Sequence, residues 1–518
     1  MMTGTEPLHL GWKILNGCLF PFKKVAEGVR YLFNLDDSYK IIRQQENFFF
    51  DELASRSLNS EKGYASTYLG FPFLRAYNFF VFTGENFVKE AVAYGEYDKD
   101  HPQLFDPKSR SLFEPIKEFL GDPAIVNMNG PEVAEERKGI KEFLTPHRSE
   151  VATWEVTDKL LGNWSDDKSL NHNICLLCTQ VIAQGWFNLR DVPEELIPLL
   201  KKAEHFVFNR DKVSNADFEK LRAELKELSD KVLTPQKDNL SERDSYLGFL
   251  TQHRGKKAVT DLNALAALLV EGNITTVLTG AILQLANNPN LQATLRQELQ
   301  SLDPKTMRTT EGYVQIKHLA FLHNLFLETL RYYSPSPPLA RYASQAGEIN
   351  GVKIPARSYL FVPLRQVMHD PKQWPNPSVF DPSRHEGSTR HLNQYPLTPF
   401  STGPRVCPAS FGFAEAMFKI AMVQLFRNNQ LNLTSHDSVE QIPVAIKEPR
   451  FKQTYFGKLS KVSHDFQHQK VMQFSNTKPR DASQVTLLTS KEKITPSETF
   501  AIANAKPSLS TRPQTNLK

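Results

Sequence analysis

One cysteine constrains this chain more than any other residue. It stands in the stretch Phe400-Ser401-Thr402-Gly403-Pro404-Arg405-Val406-Cys407-Pro408-Ala409, and a long apolar run follows. The Gly-Pro pair predicts a turn, and the run after it predicts a helix that Cys407 opens. A helix N-terminus offers free N–H groups and the positive end of the dipole, so it favours negative charge on sulfur. Gly403 permits a turn that a side chain would block. Arg405, two residues before the cysteine, offers a planar cation suited to a carboxylate. A cysteine without context reads as a small buried hydrophobe. Four positions at fixed spacing set this one apart.

The spacing Phe-x-x-Gly-x-Arg-x-Cys resembles the heme-ligand signature of the cytochrome P-450 superfamily. The resemblance implies a mainly α fold with a small β side sheet. It implies heme b as cofactor, with Cys407 as the axial thiolate on the iron and Phe400, Gly403 and Arg405 among the residues that bind it. A thiolate ligand pushes electron density toward O–O cleavage. One position departs from the pattern: the family usually has Gly two residues after the cysteine, and this chain has Ala409.

A second signal lies upstream. Glu328-Thr329-Leu330-Arg331 falls in an apolar-periodic stretch that predicts one helix from about Val314 to Tyr333. Residues at i and i+3 share a helix face, so Glu328 and Arg331 can pair. An exposed pair of this kind contributes only about 0.2–0.5 kcal/mol. The run His369-Asp370-Pro371 through Phe380-Asp381-Pro382-Ser383-Arg384-His385 gives the pair its context. It resembles the family's irregular stretch between the Glu-x-x-Arg helix and the cysteine loop. The resemblance implies that Arg384 joins Glu328 and Arg331 in a buried ion network. That network is read as structural, holding the core beneath the cysteine loop.

A third signal is a long, nearly all-apolar helix expected from about Thr260 to Asn287 and ended by Asn287-Asn288-Pro289. Its middle reads Glu271-Gly272-Asn273-Ile274-Thr275-Thr276. Family members carry Ala/Gly-Gly-x-Asp/Glu-Thr-Thr there, across the distal face of the heme. By that resemblance Gly272 lets the helix open, and Thr275 is the catalytic residue that helps deliver protons. Ile274 occupies the acid position and cannot relay a proton. Glu271 lies one turn before Thr275 and is the candidate replacement acid. Anchoring a polar substrate and pairing with an arginine are its alternative roles.

Further cofactor contacts follow from the same resemblance. Arg341, after Pro335-Ser336-Pro337-Pro338-Leu339-Ala340, matches an arginine that meets one heme propionate. Arg137 and Lys141, before Phe143-Leu144-Thr145-Pro146, match a helix that faces the other. Lys141 stands where the family has Arg. A solvated face is the alternative for so charged a helix.

Composition fits a large globular enzyme. Hydrophobic residues make up 40% of the 518, and 35 are Phe, enough for a large core and an apolar pocket. A net charge of +5 does not point to nucleic acid. Cys175 and Cys178 form a CxxC without a second pair, inside an apolar helix pattern, so core packing is the better reading than zinc. No run reaches the ~18 apolar residues of a membrane-spanning helix, and no cleavable signal is evident. Residues 1–35 form an amphipathic segment (Leu8, Trp12, Leu15, Leu19) that suits either packing on the domain or peripheral membrane contact. A helix is expected over about Asp37 to Ser55, strands at Ser66–Leu69 and Asn78–Phe82, and helices across about Asn163 to Leu285. Residues 36–462 form the catalytic domain and 463–518 a polar tail expected to be disordered.

The resemblance implies a monooxygenase that oxidises an apolar or amphipathic small molecule with O2. Electrons would come from a separate ferredoxin or flavoprotein reductase, because the tail is too short for a reductase domain. The implied location is cytoplasmic, with membrane contact peripheral at most. A heme-thiolate peroxygenase, isomerase or dehydratase stays open, as does a non-catalytic heme-binding protein.

Overall fold

The computed structural model describes Asp37 and residues 52–71, 74–93, 132–164, 168–190, 192–208, 213–237, 246, 248–249, 271–335, 339–387, 392, 394–434 and 455–462. All lie within the first of two compact units, Met1–Ser463; the second is His464–Lys518. The amphipathic segment 1–35, the tail from 463, and residues 260–270 of the long helix lie outside the described residues. So does most of the helix expected over 37–55, although Asp37 is helical and helix α1 follows at Ala54–Asn59.

Aromatic and β-branched residues build the side sheet. Strands β1 (Tyr64–Phe71) and β2 (Leu74–Phe82) pair antiparallel, longer than the two strands expected. Strand β3 is Leu339–Ala343, and a small β4/β5 hairpin (Gly347–Ile349, Val352–Ile354) leads into β6 (Ser358–Val362). The four-stranded order is β1-β2-β6-β3. Strand β6 runs parallel to β2, with Asn78 opposite Ser358, and antiparallel to β3, with Arg341 opposite Leu360. This pairing fixes Arg341 on the sheet.

Helices make up most of the described chain. Between the strands and the cysteine they are α2 (Glu85–Ala93), α3 (Glu132–Phe143), α4 (Pro146–Gly162), α5 (Leu170–Phe187), α6 (Leu196–Phe208) and α7 (Asn215–Lys237). Then come α8 (Glu271–Asn287), α9 (Pro289–Leu299), α10 (Thr310–Lys317), α11 (Ala320–Tyr333) and α12 (Leu364–Met368). Their starts are written locally. Thr145 accepts from Arg148 N with Pro146 in the first turn, and Asn288 accepts from Leu291 N with Pro289 in the first turn. The expected arrest of the long helix at Asn287-Asn288-Pro289 is thus a capped restart.

The apolar stretch Val314–Tyr333 is two helices rather than the one expected. His318 closes α10, and Leu319 is extended. The cause lies 20 residues back in the chain: Glu298 of α9 accepts from Phe321 N at 2.8 Å and Leu322 N at 2.9 Å. A carboxylate on those free amides caps a new helix start, which a continuous helix could not offer.

The largest core cluster joins α4, α5, α8 and α11 with the helix α13 (Phe413–Phe426). A second gathers Phe143, Trp186, Phe187, Phe218, Tyr246 and Phe413. Cys175 and Cys178 are both buried on α5, in keeping with the packing role read from the sequence. Among the described residues no helix is long and apolar enough to cross a membrane.

Candidate functional site

The clamp around Glu328 is a buried polar cluster on the helix and turn that precede the cysteine loop in sequence. Glu328 and Arg331 are both 0% exposed. Arg331 Nε donates to Glu328 Oε2 at 2.8 Å and Nη2 to Oε1 at 2.9 Å, the bidentate fork that Arg geometry favours. Its other protons go to the carbonyls of Met368 (3.1 Å), Pro377 (2.9 Å) and Val379 (3.3 Å). Arg384 Nε reaches Glu328 Oε1 at 3.0 Å, as the sequence implied, and its Nη1 reaches Pro375 O at 2.8 Å. Two guanidiniums therefore sew the irregular segment 368–379 onto α11. Burial raises the Glu328 carboxyl; the hydrogen bonds from Arg331 and His385, with the Arg331 charge, outweigh it and hold the group at about 2. Sequence reasoning missed His385, whose Nε2 lies 3.1 Å from Glu328 Oε2. Its only signal was adjacency to Arg384.

The cysteine loop sits downstream. Cys407 N donates to Phe400 O at 2.9 Å, which closes the loop on itself. Two residues inside it have left-handed backbones, Gly403 (φ 69°) and Ser401 (φ 67°). For Ser401 that conformation is uncommon and costs energy, a sign that the surroundings dictate the loop's shape. Cys407 does not open the α-helix, as the sequence suggested. It caps a short 3-10 turn, Pro408–Phe411, and α13 starts only at Phe413. Gly412 (φ 115°) makes the break, and a Cβ there would lie 2.5 Å from Pro146 Cγ. The positive surroundings of the sulfur therefore come less from a helix end than from side chains.

Those side chains are arginines. The Arg137 guanidinium donates to the Val406 carbonyl, next to the cysteine. Burial pushes Arg137 down while the Cys407 charge pushes it up. Burial, and then the charge of Arg137, lower Arg405. Arg341 is 4% exposed and donates to its neighbour's carbonyl, Ala340 O, at 2.8 Å. It has no carboxylate partner among the described residues. Burial and the Arg405 charge push it down to about 10. A buried guanidinium beside a second one calls for an anion. The two carboxylates of a heme are such anions, so the residues present fit the group that the cysteine implies. Lys141 sits exposed on α3, and Arg137 of the same helix reaches the loop. Phe400 is half-buried against the main core.

The distal helix is described from its first residue, Glu271, whose side chain lies outside the described part. Gly272 and Thr275 are half-buried. The Thr276 hydroxyl donates back to Gly272 O at 2.8 Å, so the second threonine is tied to the helix itself. Ile274 packs against both core clusters. At the acid position this chain therefore has an apolar bridge between cores.

A cysteine loop with the Arg137 guanidinium on its Val406 carbonyl, in a helical fold that carries a side sheet and a buried Glu328–Arg331–Arg384 clamp, points to a heme-thiolate protein. The comparisons agree. The family model for cytochrome P-450 matches residues 206–455. Human cytochrome P-450 3A5 is 34% identical over 178 residues, which is 33% of this chain and 35% of that protein. Cytochrome P-450 3A19 of Capra hircus aegagrus is 34% identical over 156 residues, 30% of this chain and 70% of that protein. A melianol synthase of Azadirachta indica is 29% identical over 164 residues, 31% of this chain and 32% of that protein. Among solved structures, a retinoic acid-bound cyanobacterial CYP120A1 superposes with a TM-score of 0.64 at 19% identity, covering 81% of this chain and 96% of that one. At that identity the likeness establishes the fold. The chain belongs to the cytochrome P-450 family, whose cofactor is heme b bound through a cysteine thiolate. The match spans only about a third of the length of the human protein.

Proposed function

We propose that this protein is a heme-thiolate monooxygenase acting on an apolar or amphipathic small molecule, with Cys407 as the axial ligand. The observation that carries the reading is the cationic rim of the cysteine loop: Arg137 on the Val406 carbonyl, Arg405 beside it, and the buried Arg341 without a carboxylate of its own. Bound there, the heme would supply oxygen activation through its thiolate-ligated iron. The chain's own residues would hold and shield it. Arg341 and Arg405 would pair with the propionates, and Gly403 and Phe400 would shape the loop beneath the ring. Gly272 would keep the distal helix open, and Thr275 would pass protons at its hydroxyl with Glu271 as their source. Lys141 would serve the propionate face from the same helix as Arg137. Electrons would come from a separate ferredoxin or flavoprotein reductase. We place the protein in the cytoplasm, with any membrane contact peripheral and made by residues 1–35, ahead of a catalytic domain at 36–462 and a polar tail at 463–518.

Ile274 favours a second reading, in which the enzyme is a peroxygenase, isomerase or dehydratase that needs no proton relay. Purified holoprotein given a reduced partner, and separately peroxide, distinguishes the two. Product formed only with partner and O2 supports the monooxygenase. Product formed with peroxide alone supports the second reading. Ligand-induced Soret shifts across a panel of lipids, terpenes and steroids would identify the substrate class.

A further inference from the structure

We infer that His385 is a positioning residue of the Glu328 clamp, acting as an Nε2–H donor that completes the carboxylate's hydrogen-bond shell. The Glu328 carboxylate receives five donors. Three come from a single turn of five residues: Asp381 N at 2.9 Å, Arg384 Nε at 3.0 Å and His385 Nε2 at 3.1 Å. The other two come from Arg331. The distribution between the oxygens is uneven. Oε1 accepts from Asp381 N, Arg384 and Arg331. Among the described residues, Oε2 accepts only from Arg331 Nε and from His385. Without the imidazole, Oε2 would keep one donor at a site that is 0% exposed.

The tautomer follows from the chemistry of the partner. An ionised carboxylate only accepts, so the nitrogen facing it carries the proton. Glu328 is ionised, since two guanidiniums and a backbone amide all donate to its oxygens. The other ring nitrogen, Nδ1, is buried and has no hydrogen-bond partner among the described residues. The ring is fixed on its other side by Trp374, 5.9 Å away between centroids, which itself lies 5.6 Å from the Arg331 guanidinium. Position is therefore over-determined for this ring: one nitrogen is bonded, and a tilted indole packs against it. An apolar ring would fill the same space. The donor is what the carboxylate requires.

The consequence reaches the cysteine loop through the chain. The turn Pro382–His385 ends the segment that the two arginines hold, and the loop from Phe400 to Cys407 follows it. Loss of the Nε2 donor loosens the turn's grip on α11 at its C-terminal end.

The test compares four versions of the full chain: wild type, His385→Gln, His385→Asn and His385→Phe. Gln places its amide nitrogen where imidazole Nε2 lies, whereas Asn places its own where Nδ1 lies. In the wild type, long-range 1H–15N spectra of the histidines should show one ring protonated at Nε2 only, absent from each variant. His385→Gln should keep nearly wild-type heme retention on dilution and a nearly wild-type urea midpoint. His385→Phe and His385→Asn should each lose heme roughly tenfold faster, the effect expected for a buried acceptor left short of a donor. A ring protonated at Nδ1 alone, or equal retention in Gln, Asn and Phe, overturns the inference. The heme arm rests on the function proposed above; the tautomer and the urea midpoint do not. Failure of the cofactor assignment would leave those two readouts intact.

Discussion

Two regions of the molecule are built on opposite principles. In the clamp that precedes the cysteine loop in sequence, Glu328 accepts from Arg331, Arg384, His385 and a backbone amide, with almost every group buried. On the distal helix, Gly272, Ile274 and Thr275 are only half-buried, and one threonine hydroxyl is spent on its own helix. The first region is a closed network in which each member is costly to remove. The second is sparse, and the apolar Ile274 stands where the family resemblance implies an acid. Scaffold and reaction can be changed separately where the two tasks rest on different residues.

Replacing the ligand should have the largest effect. Cys407→Ala should abolish the long-wavelength ferrous–carbonyl band that marks a thiolate ligand while leaving the helical content largely intact. A variant that keeps the wild-type carbonyl spectrum would show that another residue holds the iron, and the contrast between the two regions would lose its centre.

The clamp comes next. Arg331→Ala would strand the Glu328 carboxylate at a fully buried position, at a cost of about 3–5 kcal/mol. Little soluble, heme-loaded protein should result. Arg384, 10% exposed and bonded to only one oxygen of Glu328, should be the milder site, so Arg384→Lys should fold and show a smaller drop in urea midpoint. Equal yields from Arg331→Ala and wild type would mean that the network is dispensable.

Acid should reveal the same network more gently. Glu328 is lowered from its ordinary value near 4.5 to about 2. A depressed carboxyl stabilises the fold above its unfolded value and loses that contribution as pH falls through the folded one. The window is therefore about pH 4.5 to 2, worth on the order of 3 kcal/mol. Urea midpoints measured across it should fall steeply in the wild type. In Glu328→Gln, or in Arg384→Lys if the former does not fold, the slope should be shallower. Parallel slopes would assign acid sensitivity to other carboxyls, of which Glu415, also held at about 2 against burial by His323 and Lys419, is the foremost.

These tests bear on what the sequence could and could not disclose. The meeting of Glu328, Arg331 and Arg384 was legible because their two stretches together resemble a family pattern, and the structure bonds the three. The strands near Ser66 and Asn78 were legible because aromatic runs between turn residues have few other uses. Three features were not legible. The break between α10 and α11 depends on Glu298 arriving from another helix. The break after Cys407 depends on Gly412 meeting Pro146. The bond from Arg137 to the Val406 carbonyl depends on how α3 is rotated. Each is a tertiary contact between residues far apart in sequence, and no local period encodes it.

The smallest expected effect tests the sparse region. If Glu271 supplies the protons that Ile274 cannot, Glu271→Gln should leave heme binding and the carbonyl spectrum unchanged. Product formation driven by a redox partner should fall, and more of the reductant should be lost to peroxide. Ile274→Glu in that background should recover part of the coupling, since it returns an acid next to Thr275. The recovery has a ceiling set by packing. Ile274 touches both core clusters, so a carboxylate there gives up apolar contact and must stay partly desolvated. Coupling should therefore rise while the urea midpoint drops. Unchanged rate and coupling in Glu271→Gln would remove the relay and leave Glu271 as a substrate anchor or a structural charge. Undiminished turnover with peroxide in the same variant would move the chemistry to the reading without a relay, with the clamp and the cysteine loop untouched.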